Sequence, residues 1–186
     1  MISDRCRMLL EVLADKDAYT YAHSQCTAEY AVLLGQALNL PQERLEELNL
    51  AGWLHDVGKL KIPQEILAKP SPLTAEEYET VKSHVAESMN MLHGMPLSEG
   101  TLYAIKYHHE RWDGTGYPYG IPGECTPLEG RILQIADAFS AMTNKRVYRK
   151  KDVRLASASR TGILQRNPVR SPVGKGFFAD AFRKIH

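Results

Sequence analysis

Four of the seven histidines stand as His55-Asp56, His84 and His108-His109, each on or at the end of a predicted helix, and Asp137 falls inside another. Imidazoles with carboxylates and no thiolate suit a catalytic first-row metal such as iron, manganese, nickel or zinc, rather than a closed cysteine-based zinc site. A carboxylate also has two oxygens and can bridge two ions. Neighbouring residues on a helix point about 100° apart. A doublet such as His55-Asp56 or His108-His109 therefore serves metal binding at a helix end or between two ions, not in mid-helix on one ion. His93 and His186 stand alone and read as hydrogen-bonded core residues.

Helices have to carry these groups. Apolar residues recur at helical spacing, as in Met8, Leu9, Val12, Leu13 and again in Tyr30, Leu33, Leu34, Ala37, Leu38. This predicts helices over about 3–14 and 20–39. Pro41 suits the start of the next helix, over about 42–57, which ends near Gly58 with Leu45, Leu48, Ala51, Trp53 and Leu54 inside. The proline-bearing stretch KIPQEILAKPSPLT reads as a loop with at most a short helical turn. Thr74 and Glu77 then form a capping-box pattern that opens one helix through TAEEYETVKSHVAESMNMLHG. A helix over about 98–109 ends in His108-His109, and DGTGYPYGIPGECTP follows as a long shaped loop. From Leu128 the pattern returns to helix, with Ile132, Ile135, Ala136 and Phe139 on one stripe. No alternation of the β type competes, so the fold class is all-α.

The 186 residues fit one ordinary domain, and with 44% apolar and 24% charged residues neither disorder nor a fibrous repeat fits. No long apolar run marks a signal or a membrane span, so a cytoplasmic protein without membrane insertion is expected. Cys6, Cys26 and Cys125 are odd in number and lack CxxC spacing, as expected of reduced thiols. The net charge of +1 gives no call for a nucleic-acid polymer as partner, yet it hides an asymmetry. From Lys150 onward nine Lys/Arg face two Asp/Glu, against 14 and 20 before it, a body of −6 and a tail of +7. The expected domain is therefore 1–150, with 151–186 a basic Ser/Pro/Gly/Arg-rich extension. In that extension residues 157–176 are expected mobile, and Phe177, Phe178 and Phe182 partly buried. Its Arg154, Arg160, Arg166 and Arg170 attract anions.

AGWLHDVGKLKIPQEILAKPSPLT resembles the HD segment of the HD-GYP phosphodiesterases, and HHERWDGTGYP resembles their GYP signature. IADAFSAMTNKRVYRK resembles the following helix, so the likeness runs from roughly Asp15 to Lys150. The resemblance implies an HD-superfamily helical bundle with a metal site between helices, and hydrolysis of cyclic di-GMP to the linear dinucleotide and on to GMP. It implies His55, Asp56, His84, His108, His109 and Asp137 as metal ligands, with Asp56 bridging. His23 matches a further family histidine near the metals. Two divalent ions, iron or manganese, would lower the pKa of a water from about 15.7 toward about 7 and direct it at phosphorus, in line with the leaving 3′-oxygen. The catalytic residues implied are Asp56 and Lys59, the latter meeting a phosphoryl oxygen. Substrate contacts implied are Lys59, Tyr117, Arg146 and Arg149. Gly114 and Gly116 read as a tight backbone path where a side chain would block the metals or a purine.

The chain also departs from the pattern. Tyr19 stands where some members carry Glu for a third ion, which favours two metals. Cys26 replaces a common Arg, and Ser140 replaces an Asp. Partners implied are a cyclic dinucleotide and signalling proteins such as a diguanylate cyclase (GGDEF). Two other readings stand beside hydrolysis of cyclic di-GMP: an HD-type phosphohydrolase for another nucleotide, and a signalling module that binds cyclic di-GMP or a protein without hydrolysis.

Overall fold

The computed structural model of the chain describes residues 3–151, with their side chains up to residue 143. Among these there is no strand, in agreement with the all-α expectation. The helices are α1 (Asp4–Lys16), α2 (Ala18–Ala37), α3 (Gln42–Leu54), α4 (Gln64–Leu67), α5 (Ala75–Lys82), α6 (His84–Leu92), α7 (Glu99–Tyr107) and α8 (Leu128–Lys151). One 3-10 helix, Val57–Lys61, follows α3, and another, Gly123–Cys125, lies in the loop before α8.

Short polar residues set the boundaries. Ser3 accepts from the Cys6 amide, Asp17 from that of Thr20 and Ser98 from that of Thr101, and Thr74 with Glu77 forms the capping box. Each such cap contributes about 1 kcal/mol. α2 packs on α3 and α8, α7 on α3 and α8, and α6 on the Val57–Lys61 helix. The core between them holds Leu13, Leu34, Leu48, Leu54, Ile105, Ile132 and Leu133, all essentially inaccessible. Burial of each such side chain contributes about 1.5–3 kcal/mol.

Three expectations need correction. The helix expected to run to 57 ends at Leu54, and the chain tightens into the 3-10 turn. The single helix expected from Thr74 is two, α5 and α6, broken at Ser83. There Ser83 Oγ donates to the Thr80 carbonyl at 2.7 Å and His84 Nδ1 takes that of Val81 at 2.7 Å. Both carbonyls are thereby drawn from the helical ladder by side chains, which bends or interrupts helices. His93 is exposed at the end of α6, not a core residue. Lys151 apart, the basic extension, its arginines, its three phenylalanines and His186 lie outside the described residues, as do the side chains of Arg146 and Arg149.

Candidate metal centre

Three histidines sit where helices run out of backbone partners. The last carbonyls of a helix have no amide to accept from, and here imidazoles serve them. His55 Nδ1 meets the Gly52 carbonyl at the end of α3 at 2.8 Å, and His84 Nδ1 the Val81 carbonyl at the end of α5. His108 Nδ1 meets the Ile105 carbonyl at the end of α7 at 2.7 Å. A carbonyl only accepts, so each Nδ1 carries a proton and each Nε2 is the ring atom left to face a cation. That arrangement is how metal-binding histidines are oriented.

All three Nε2 atoms point into one buried space. They and Asp56 Oδ1 are buried without a hydrogen-bond partner. Asp56 presents its two oxygens to opposite sides. Oδ1 lies 3.4 Å from His84 Nε2, while Oδ2 lies 3.3 Å from His55 Nε2 and 2.7 Å from Lys59 Nζ. Lone pairs facing a carboxylate at such distances repel unless a cation lies between them. A buried cup of this kind, lined by imidazole and carboxylate, fits a divalent first-row metal.

The other donors close the cup on two sides. His108, His109 and His84 gather with ring centroids 4.0–5.6 Å apart. Opposite them, Asp137 Oδ1 on α8 lies 2.8 Å from His23 Nε2 and 3.9 Å from His55 Nε2. Among the described residues, ligand atoms within 4.8 Å of one another occur in three sets: His84, His108 and His109; His23, His55 and Asp137; and His55, Asp56 and His108. His55 belongs to two sets, and Asp56 faces both sides. His23 is held differently from its neighbours, because its Nδ1 meets a hydroxyl, Ser140 Oγ at 2.8 Å, which also donates to the His23 carbonyl. Tyr19 lies parallel to the His23 ring, 6.4 Å away.

Electrostatics follow the same division. Burial lowers His109 to about 3, helped by His84. Burial, then His109, holds His108 well below its ordinary value, and burial outweighs Asp56 at His84, which is also lowered. These three are therefore neutral and able to coordinate. At His55 burial is outweighed by the Asp56 charge, so its pKa rises. Asp56 is held far down, burial losing to the charges of His55 and Lys59; Asp137 is lowered despite burial by the hydrogen bond from His23. Positive charge is thus favoured between His55 and Asp56.

Two supports escaped the sequence reading. Ser88 Oγ accepts the Gly58 amide at 2.8 Å and donates to the His55 carbonyl at 2.9 Å, fixing the turn that carries both ligands. A Cβ at Gly58 would lie 2.0 Å from the His84 carbonyl oxygen, so this turn packs directly on α6. Glu110, buried, accepts the Tyr119 and Ile121 amides and shapes the long loop. Its position beside His108-His109 was the only signal available. The loop returns Tyr117 onto His109, rings 4.6 Å apart. Gly114 has φ +73°, a left-handed turn that favours glycine. A Cβ at Gly116 would meet the backbone of residues 109–111, so it is backbone packing, not access to the metals, that requires glycine there. Every predicted site residue with a described side chain thus converges: His23, His55, Asp56, Lys59, His84, His108, His109, Tyr117 and Asp137. No disulfide links the three cysteines.

Fold and site together define an all-α protein with a divalent-metal cup between its helices. The chain matches the HD domain family over residues 7–167. It is 37% identical over 145 residues to the cyclic di-GMP phosphodiesterase response regulator RpfG of Xanthomonas campestris, which covers 76% of this chain and 38% of that one. It is 39% identical over 142 residues to 3'3'-cGAMP-specific phosphodiesterase 1 of Vibrio cholerae, covering 76% and 33%. A cyclic di-GMP phosphodiesterase of Thermotoga maritima is 33% identical over 144 residues, covering 76% and 39%. The chain belongs to the HD-domain family, in its HD-GYP branch. It spans less than two fifths of the length of these relatives.

Proposed function

We propose that this chain is a metal-dependent phosphodiesterase that opens a cyclic dinucleotide, cyclic di-GMP, to the linear form. The observation that carries the reading is the convergence of three buried Nε2 atoms, none with a hydrogen-bond partner, around Asp56. His55, Asp56 and Asp137 would hold one ion and Asp56, His84, His108 and His109 a second, with iron or manganese the metals proposed. His23 adjoins the first. Such a pair of ions supplies Lewis acidity and lowers the pKa of water.

The chain's own residues do the remaining work. Burial excludes bulk water and strengthens every charge interaction in the cup. Lys59 stands on Asp56 Oδ2, close enough to meet a phosphoryl oxygen as charge develops in the transition state. Tyr117, on His109, and Arg146 and Arg149 of α8 would hold the substrate. The water oxygen bonds to phosphorus, the bond from phosphorus to the 3′-oxygen breaks, and a proton ends on that oxygen. The domain boundary at residue 150 belongs to the same proposal, although the family match continues to 167. So do a cytoplasmic setting and a diguanylate cyclase (GGDEF) protein as partner. No described helix is long and apolar enough to cross a membrane.

Relatives specific for 3'3'-cGAMP favour a second substrate of the same class. The test is metal analysis of protein purified under reducing conditions, followed by turnover of cyclic di-GMP and 3'3'-cGAMP with added manganese or ferrous iron. About two ions per chain and a linear product are expected. Loaded protein that binds but does not cut would make it a binding module, and protein that takes up no ion would refute the reading.

A further inference from the structure

Beside the metal cup, and opening from it past His109 and Asp137, is a cleft of 410 Å³. This is at the small end for ligand pockets, about 300–1,000 Å³, and suits one nucleotide rather than both halves of a cyclic pair. One wall is α5, where Tyr78 and Lys82 lie one turn apart on the same face; the facing wall is the loop with Arg111 and Tyr117. Lys82 Nζ reaches both aromatic rings, 4.8 Å from the Tyr78 centroid and 5.5 Å from that of Tyr117.

Lys82 and Arg111, the cations among the described lining residues, differ in commitment. Arg111 is clipped to both oxygens of Asp113 and to Thr115. Lys82 pairs with Glu79 Oε1 at 2.6 Å, and that carboxylate is 68% exposed. An exposed pair three residues apart on a helix is weak and screened, so the ammonium is available to a ligand. Flat aromatic walls accept a nucleobase by stacking regardless of its identity. An ammonium has only donors. Guanine offers it two adjacent acceptors, O6 and N7, whereas adenine offers N7 beside a competing N6 donor.

We infer that this cleft seats one purine of the substrate against Tyr78 and Tyr117, and that Lys82 makes the seat selective for guanine. The inference rests on the cyclic-dinucleotide reading of the neighbouring site. α5 contributes no buried residue, so substitutions at Tyr78 and Lys82 leave the fold intact. The metal-loaded chain and its Lys82→Met and Tyr78→Leu variants are compared on cyclic di-GMP and cyclic di-AMP by kcat/KM, and on GMP and AMP by equilibrium binding. The wild type is expected to favour guanine by about tenfold. Lys82→Met should bring that ratio close to one, while Tyr78→Leu weakens both purines alike. A ratio unchanged in Lys82→Met, or no preference in the wild type, overturns the assignment, and so does a guanine-only loss in Tyr78→Leu. A loaded wild type that cuts neither dinucleotide refutes the phosphodiesterase reading alone, since the GMP-to-AMP binding ratio still decides the cleft.

Discussion

Asp56 carries opposite demands on its two oxygens, and this makes it the most sensitive atom pair in the site. Oδ2 already answers Lys59, whereas Oδ1 has only the bare His84 lone pair before it. An amide in its place would present a donor group to one side and lose the charge that balances a cation. Asp56→Asn is expected to lower bound metal below one ion per chain and to cut turnover by at least about a hundredfold, with helicity by circular dichroism preserved. Helix loss would mark Asp56 as structural. Ser140 acts through His23, whose ring and carbonyl its hydroxyl meets. Ser140→Ala frees the His23 ring and is expected to weaken metal affinity about tenfold, read by competition with a chelator, while Ser140→Thr restores it. An unchanged affinity in Ser140→Ala would show that His23 needs no such support.

Gly58 shows how the elements depend on one another. Its turn and α6 are in backbone contact, so a methyl group at Gly58 must push them apart, and with them His55-Asp56 from His84. Gly58→Ala is expected to cost about 1–3 kcal/mol and to weaken metal binding as well as lower Tm. Gly94→Ala is the control: at φ +72° it carries conformational strain but meets nothing within 4 Å, so it should lower Tm without touching metal affinity. These contacts also explain what was legible in the sequence. Ligand types and doublets are visible as letters, and periodicity finds the helices that carry them. The break at Ser83 was not visible, because side chains that divert the Thr80 and Val81 carbonyls leave the apolar spacing of TAEEYETVKSHVAESMNML undisturbed. Ser88, and the packing role of Gly58, which marked only a helix end in the sequence, were missed for a related reason. Their role is a contact between segments 30 residues apart, and nothing local in either one announces it.

Charge couples the cup to the stability of the chain as a whole. His84, His108 and His109 titrate below the unfolded value of about 6.5, so the folded chain binds fewer protons at these sites than the unfolded one. Their contribution is complete above about pH 6.5 and is lost progressively as pH falls below it. His55 has the opposite sign: raised, it stabilises below its unfolded pKa, and that gain disappears as pH rises through its folded one. Three groups against one leave acid destabilising. Metal-free protein is therefore expected to melt at a lower temperature at about pH 5 than at about pH 7, and each kcal/mol lost moves Tm by about 2–4 °C at this size. A divalent ion at about 100 times its Kd adds about 2.7 kcal/mol at neutral pH. This gain should shrink on acidification, because the same imidazoles must be neutral to coordinate. Scanning calorimetry of both forms across this range is the measurement. A metal-free Tm that holds steady or rises toward pH 5 would mean that these histidines are not buried neutral in the folded chain, and an ion-induced shift independent of pH would mean that they do not hold the ion.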